Sequence, residues 1–434
     1  MSRRLKVFVV SLSTVLMAFL LLGTVMKSNA SPDDAYPQLG VYAEVLSRIK
    51  SEYVEEPDIK SVTLGAVNGM LESIDPFASY LNPEQYKQYV KSADTKKASV
   101  GLILSKKFGY VGVVDSIPGS SAAKFGLTTG DMIETINGVA TRDMPLAYAE
   151  MLLSGEPNTS IEISVLRIRK PDPQKITLAR NVVHYPQVSG KELPEQVGLI
   201  QVPSLDAGKV KDVATQIQTL EKQGATKLVL DLRGNGNGKP EDGIALANLF
   251  VDKGLLSYVQ GQKVERKDYS AEPGKAITKL PVAVLTNRGT AGGAEVAAGA
   301  LLDNHRGEVI GERTYGDAAI RRAVQMDDGS AVILSVAKFY SPSGKALQDT
   351  GVTPDIMVTD FDSIVDSDDD DSGTVEQSPE APKKGEDPVL KRAIEYLIKG
   401  KTQTASAPEK PAGSDSRETT ETPTTVAPEN PLLR

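Results

Sequence analysis

The sequence predicts an α+β multidomain chain, on three observations. Residues 35–95 carry apolar side chains at helical spacing without strand-like alternation, residues 96–170 read as short strands broken by glycine turns, and from 180 to 360 β-rich apolar runs alternate with helical stretches. Beyond residue 361 the composition shifts to Asp, Ser, Thr, Pro and Glu, too poor in apolar residues to offset the entropy of ordering, so the acidic segment 361–434 is expected to be disordered.

The N-terminus reads as an export segment. Arg3, Arg4 and Lys6 precede an apolar run from Val7 to Met26, and Ser28-Asn29-Ala30 offers small residues for cleavage, so residues 1–30 are expected to be a signal peptide or a retained signal anchor. The positive flank stays in the cytoplasm, which places everything after residue 30 on the far side, periplasmic or membrane-anchored and facing the periplasm. In the following region Val41, Leu46, Ile49, Val62, Leu64, Val67 and Leu71 mark helices. Ser73-Ile74-Asp75-Pro76 closes one helix and Asn82-Pro83-Glu84 opens the next, with Asn82 as N-cap, giving an all-helical lead-in.

In 96–170 the segments 100–104, 112–117, 130–138 and 160–167 are strand-like, the third running into an Asn137-Gly138 turn, and Pro145–Leu153 forms a short helix. In 180–360 the runs Val197–Val202, Lys227–Leu232 and Pro281–Leu285 fit buried strands and Glu241–Leu249 and Ala294–Leu302 fit helices. Val324–Tyr340, broken at Asp327-Asp328-Gly329, fits a hairpin, and Gly351–Val358 one more extended piece. Within the acidic segment a single island, 387–398, has helical apolar spacing and is expected to dock back as a short helix.

Composition narrows the chemistry. The 434 residues include no Cys and only two His, and the net charge is −8. Without Cys there is no disulfide framework, thiolate nucleophile or Cys-based metal site, and a His-rich metal cage is excluded too. The charge is uneven: 17 acids against 9 bases lie between Asp360 and Arg434, leaving 40 of each in the first 359 residues. A neutral body with an acidic tail lacks the basic surface that nucleic acid requires.

Several ordered phrases carry a resemblance. Tyr53-Val54-Glu55-Glu56, Gly69-Met70-Leu71, Leu81-Asn82-Pro83-Glu84, Asp231-Leu232-Arg233-Gly234-Asn235, Gly311-Glu312-Arg313-Thr314-Tyr315-Gly316 and Tyr340-Ser341-Pro342-Ser343-Gly344 resemble the carboxy-terminal processing peptidases, or tail-specific proteases, and 96–170 resembles their PDZ domain. The resemblance implies a PDZ-type β-rich domain and an α/β peptidase-like core of the ClpP/crotonase-like type. Family members are serine peptidases with a Ser–Lys pair. Carried over residue by residue, the nucleophile position is Gly292, the base position is Asp317, and Arg321 stands where a Gln assists the lysine.

A Ser–Lys pair needs a hydroxyl to attack and a neutral amine to take its proton. Glycine supplies no nucleophile. No Ser lies between Ser270 and Ser330 and no Lys between Lys279 and Lys338, so the neighbourhood offers no substitute. The family's oxyanion stretch Asn-Pro-Gly-Gly reads Asn235-Gly236-Asn237-Gly238; Gly236, Asn237 and Gly293 are the oxyanion-loop-like positions. Thr290 is expected as a helix N-cap, His305 as a solvent-facing turn residue and His184 as a linker residue, while Glu295 begins a helix where a carboxylate suits the dipole. The expectation is an inactive relative, with an active enzyme using a non-standard nucleophile as the alternative.

The PDZ-like unit implies capture of an extended peptide as an added strand, its terminal carboxylate held by a glycine loop. Val100, Gly101, Leu102 and Ile103 match that loop and accepting strand, and Tyr148, Met151 and Leu152 lie on the helix expected to wall the groove. The expected partners are polypeptide C-termini or unfolded exported proteins, with an active relative or a second copy also open; no nucleic acid, metal or cofactor is expected, and membrane contact only through the N-terminal segment.

Overall fold

A computed structural model describes residues 35–93, 98–107, 109–142, 144–167, 170–206, 208–359 and 387–400. The expected export segment and the expected disorder of 361–386 and 401–434 lie outside the described residues. The chain divides into two units, one ending at His184 and including Ile320–Val336, the other formed by Tyr185–Ala319 and the residues from Ala337 onward.

The first unit begins with helices α1 (Ala35–Glu52) and α2 (Ile59–Ile74). The Asp58 carboxylate caps α2 by accepting the N–H groups of Lys60 and Ser61 at 3.0 and 3.3 Å. The chain then forms strand β1 (Ser79–Leu81) before α3 (Pro83–Ala93). At the start of α3, Asn82 and Gln85 cap reciprocally: each backbone N–H meets the other's side-chain oxygen, at 3.0 and 2.9 Å. The lead-in is therefore not all-helical. Three residues are too few to show alternation, and β1 exists because Leu81 is fully buried with Ala147 and Ile333, which come from distant parts of the sequence.

The β-rich domain follows as β2 (Ala98–Ser99), β3 (Leu102–Lys107), β4 (Tyr110–Ser116), α4 (Ser121–Lys124), β5 (Met132–Ile136), β6 (Val139–Ala140), α5 (Leu146–Leu153), β7 (Ser154–Gly155), β8 (Thr159–Arg167) and β9 (Lys170–Arg180). Its main sheet runs β3-β4-β5-β8-β9, so β3 is an edge. Asn137 and Gly138 both have positive φ, 48° and 75°, as a tight primed turn between β5 and β6 demands. The strand β9 passes the expected domain end at 170. Pro171 and Pro173 hide it in the sequence, yet β9 is the last strand of the sheet, where proline is tolerated.

The second unit comprises β10 (Ser189–Leu193), β11 (Val197–Gln201), α6 (Lys209–Gln223), β12 (Lys227–Asp231), α7 (Pro240–Asn248), β13 (Leu255–Gly261), β14 (Val264–Ser270), β15 (Val282–Thr286), α8 (Gly293–Asp303), β16 (Gly307–Gly311), β19 (Ile356–Met357) and α9 (Pro388–Lys399). Strands β17 (Ala319–Gln325) and β18 (Ala331–Tyr340) belong in part to each unit: Ala331–Ile333 pair with β1, whereas Lys338–Tyr340 pair with β13. Strands β11, β12, β15, β16 and β19 are parallel and β10 is antiparallel at one edge. Helix α6 and hairpin β13–β14 were not expected. The sequences of α6 and β14 are largely polar, and only the thin stripe Val213, Ile217, Leu220 of α6 enters the core.

Alternation along the strands builds two apolar layers. Leu228 and Leu230 of β12 pack with Val282 and Val284 beneath α6, α7 and α8; Val229, Ala283, Leu285 and Ile310 point the other way and meet Val389 and Ala393 of α9. The expected island helix 387–398 thus docks on the sheet. Among the described residues, no helix is long and apolar enough to cross a membrane.

Candidate active site

Three segments that follow the carboxyl ends of parallel strands converge, the usual place for a site in an α/β sheet. They are the loop 232–238 after β12, the turn 287–292 after β15 and the strap 314–318 after β16. Asn287 ties the first two, its Oδ1 accepting the N–H of Gly234 at 2.9 Å and of Gly289 at 3.0 Å. The second and third are joined by main-chain bonds, Tyr315 N–H to the Thr290 carbonyl at 2.9 Å and Gly292 N–H to the Asp317 carbonyl at 3.0 Å.

Gly292 caps α8 with φ 59° and ψ −122°. An L-residue adopts that conformation only under strain, of the kind found at sharp strand-to-helix elbows that expose a nucleophile. A Cβ built there would lie 3.2 Å from the Gly238 carbonyl oxygen and 3.8 Å from that of Asp317. The backbone has the shape of such an elbow and carries no side chain. Behind it, α8 crosses α7 so closely that a Cβ on Gly243 would fall 1.8 Å from the Gly293 oxygen, which fixes glycine at both positions. Gly293 also opens α8, so its N–H stands at the positive end of the helix.

Glu295 organises this junction. Its carboxylate is fully buried and accepts the N–H of Gly316 at 2.6 Å, of Asp317 at 2.7 Å and of Gly292 at 3.2 Å, together with the Thr314 hydroxyl. Burial raises its pKa to about 7; these hydrogen bonds oppose the rise and the Asp317 charge adds to it. The sequence marks Glu295 only as an acid three residues after a helix cap, the signature of a capping box. Its reach to the strap required the fold.

The oxyanion-loop-like residues are held from the side. Leu205 N–H donates to the Asn237 carbonyl at 2.9 Å, the Asn237 amide bonds Asp206, and Gly238, at φ 125°, leaves no space for a Cβ against Leu205. Gly236 is half-buried in the same loop. Upstream, Arg233 bonds Asp231 and clasps Asp387 at the start of α9 through two parallel hydrogen bonds of 3.0 and 2.7 Å. Burial lowers the Arg233 pKa, but the bonds to both carboxylates outweigh it and raise the value overall; at Asp387 burial is likewise outweighed and the pKa falls.

The candidate substitutes are engaged elsewhere. Thr290 is fully buried, donates to the Leu232 carbonyl at 2.9 Å and accepts Asn287 N–H at 3.1 Å, so it braces the turn 287–290. It is not the helix N-cap expected for it, because α8 starts three residues later and Gly292 takes that place. Lys338, the next lysine along the chain, is paired with Asp349 at 2.7 Å. His305 is exposed in a left-handed turn and His184 is exposed at the end of the first unit. Arg321 lies in the first unit with its guanidinium 4.2 Å from the centre of the Phe77 ring, a packing contact there. No group of three or more His, Cys, Asp or Glu residues able to hold a metal occurs among the described residues.

In the first unit, Gly101 has φ 83°, and a Cβ on it would fall 2.2 Å from Ser120 Cβ. The Gly101 carbonyl accepts Ile117 N–H at 2.9 Å, which fixes the loop. Val100 is buried, its N–H bonded to Leu153 and its carbonyl to Ala122, so it shapes the loop from beneath. Leu102 and Ile103 are half-buried on the edge strand β3. Tyr148 is half-buried and packs, with Tyr86 and Tyr89, against the cluster of Leu81, Ala147 and Ile333. Met151 and Leu152 are half-buried on the same helix, α5.

A mostly parallel sheet with a Gly–Gly helix entry and an adjacent glycine-containing loop, preceded in the chain by a β-rich domain with an edge strand, defines a peptidase-type frame. Residues 196–358 match the model of peptidase family S41 and residues 112–167 match a PDZ domain. The carboxy-terminal processing protease CtpA of Bacillus subtilis is 32% identical over 371 residues, covering 82% of this chain and 78% of the relative; the chloroplastic C-terminal processing peptidase of Tetradesmus obliquus is 31% identical over 348 residues, covering 75% of each. The solved photosystem II D1 C-terminal processing protease superposes with a TM-score of 0.60 at 29% identity, covering 73% of this chain and 92% of that one. The chain belongs to peptidase family S41, among the PDZ-containing carboxy-terminal processing proteases.

Proposed function

We propose that this chain is an exported pseudo-peptidase that binds polypeptide C-termini through its PDZ domain without cutting them, as an adaptor or scaffold. The observation that carries the reading is the elbow itself: Gly292 holds the nucleophile's backbone position with no side chain, and Asp317, a carboxylate, holds the position of the base. Loss of one member of such a pair costs orders of magnitude in rate, and here both are replaced. The edge strand β3 beside the Gly101 loop supports peptide capture by strand addition. Export, to a periplasmic or membrane-anchored position, rests on Arg3, Arg4, Lys6 and the apolar run after them.

The purified protein, incubated with an unstructured polypeptide ending in apolar residues, binds it and leaves it intact. Robust cleavage that disappears in Thr290→Ala, or labelling by a fluorophosphonate, would sink the inactive reading and favour an enzyme with a non-standard nucleophile. Calorimetry with the C-terminal peptide tests the other half; absence of heat of binding removes the adaptor role.

A further inference from the structure

The edge strand β3 and helix α5 lie side by side and are tied at both ends. At one end the Val100 N–H donates to the Leu153 carbonyl at 3.3 Å, which joins the Gly101 loop to the last residue of α5. At the other the Lys106 ammonium donates to the Met144 carbonyl at 2.9 Å, which joins the end of β3 to the residues leading into α5. Strand and helix therefore run in opposite directions, with five residues of β3, Leu102 to Lys106, between the two ties. Strand β3 is regular along this stretch, because the residue left out of its pairing with β4 is Val114 of β4. A cavity opens at the second tie. It is lined by Lys106, by Met144, Pro145 and Leu146, and by Asn68 and Glu72 of α2, all within the first unit. Lys106 already spends two donors on main chain, the Met144 carbonyl and the Gly109 carbonyl at 2.6 Å. Glu72 is half-buried and its carboxylate accepts the Gly109 N–H at 3.3 Å. A carboxylate offers about four acceptor sites, so most of that capacity is open, and among the described residues no ion pair engages Glu72.

We propose that this cavity receives the side chain of the fifth residue from the end of a bound polypeptide, and that Glu72 selects a lysine or arginine there. The inference rests on the reading that a C-terminus adds to β3 with its carboxylate at the Gly101 loop. That loop precedes β3, so the added strand must run toward it, opposite to β3. Its last residue then stands beside Leu102 and each earlier residue one step further along, which brings the fifth from the end beside Lys106, at the cavity. A long basic side chain can lay its apolar stem along Met144, Pro145 and Leu146 and carry its charge to Glu72. Lys106 has the opposite sign to Glu72, but two carbonyls already hold its ammonium, so Glu72 is the group with bonds left to make. Part of the selectivity for the peptide then belongs to α2, outside the β-rich domain.

The test uses the full chain and three six-residue peptides with the same apolar end, differing only in Lys, Ala or Glu at the fifth place from the end. Calorimetry is expected to give the Lys peptide a Kd about three to ten times lower than that of the Ala peptide, and the Glu peptide the highest of the three. In Glu72→Gln, which keeps an acceptor for the Gly109 N–H, the gap between the Lys and Ala peptides closes. In Glu72→Lys the order of the Lys and Glu peptides reverses. Moving the Lys to the third place from the end removes its advantage. Equal affinity for the three peptides, or a Lys preference that survives in Glu72→Gln, would overturn the assignment and leave capture of the C-terminus standing. Binding of none of the three removes that capture, and the assignment with it.

Discussion

The main-chain N–H of Gly292 donates to the main-chain carbonyl of Asp317 at 3.0 Å, so the two positions proposed above for nucleophile and base are joined backbone to backbone. Their side chains take no part in that bond. The bond that joins the two loops is therefore independent of which side chains stand at these positions, although any side chain at 292 has to accept the strain of its backbone.

Restoring the pair tests this independence. In Gly292→Ser with Asp317→Lys the new Ser must accept φ 59°, ψ −122°, a strain of about 1–3 kcal/mol, and its Cβ approaches the Gly238 oxygen to 3.2 Å. The double variant is expected to fold with a lowered melting temperature and to gain turnover of an unstructured polypeptide. A folded variant without activity would show that the altered oxyanion loop is also deficient.

Glu295 predicts a pH signature. Its folded-state pKa of about 7 lies above its ordinary value of 4.5, so between those limits the native state binds more protons than the unfolded chain. Its contribution is fully present below about pH 4.5 and is lost as pH rises through 7, a change on the order of 3 kcal/mol at 1.36 kcal/mol per pH unit. In Glu295→Gln, the fall in melting temperature between pH 5 and 7.5 is expected to flatten. Identical slopes in the two proteins would remove Glu295 as its source.

The clasp between Arg233 and Asp387 predicts local release of α9. Asp387→Asn removes both the paired charge and a good part of the helix cap, since Asp387 Oδ1 also accepts Leu390 N–H at 2.9 Å. A loss of about 1–3 kcal/mol is expected, with faster amide exchange confined first to 388–399 and to the sheet face beneath. Because the Asp387 pKa is lowered, its contribution holds above the ordinary carboxylate range and fades as pH falls through the depressed value.

Gly101→Ala is expected to fail in the β-rich domain. The added methyl would meet Ser120 Cβ at 2.2 Å from a backbone at φ 83°. Differential scanning calorimetry should show a destabilised transition for the first unit, and C-terminal peptide binding should be lost with it. Unchanged binding would move the peptide site away from this loop.

Much of this organisation was legible in the sequence where local signals and burial agree. Asn137-Gly138 announces its turn, Asn82-Pro83 its helix start, and the apolar runs 197–202 and 227–232 their central strands. What stayed hidden depends on distant partners. Strand β1 exists for its pairing with Ala331–Ile333, β9 is masked by two prolines that only its place in the sheet permits, and α6 shows the core a stripe of three residues. At the site, positions 292 and 317 were readable as residue types, whereas Thr290's bond to Leu232, Arg321's stacking on Phe77 and Glu295's grip on the strap are properties of folded geometry.

At Asp317 both main-chain groups are spoken for, the N–H by Glu295 and the carbonyl by Gly292, and at Gly292 a bare backbone satisfies the elbow without strain. The bonds that shape the junction thus run through main chain at both places, yet a side chain at 292 would have to accept a backbone that only glycine holds without strain. The buried Glu295 carboxylate ties the two loops through Gly292, Gly316 and Asp317, so the junction is held in part from a third position whose side chain the fold cannot spare.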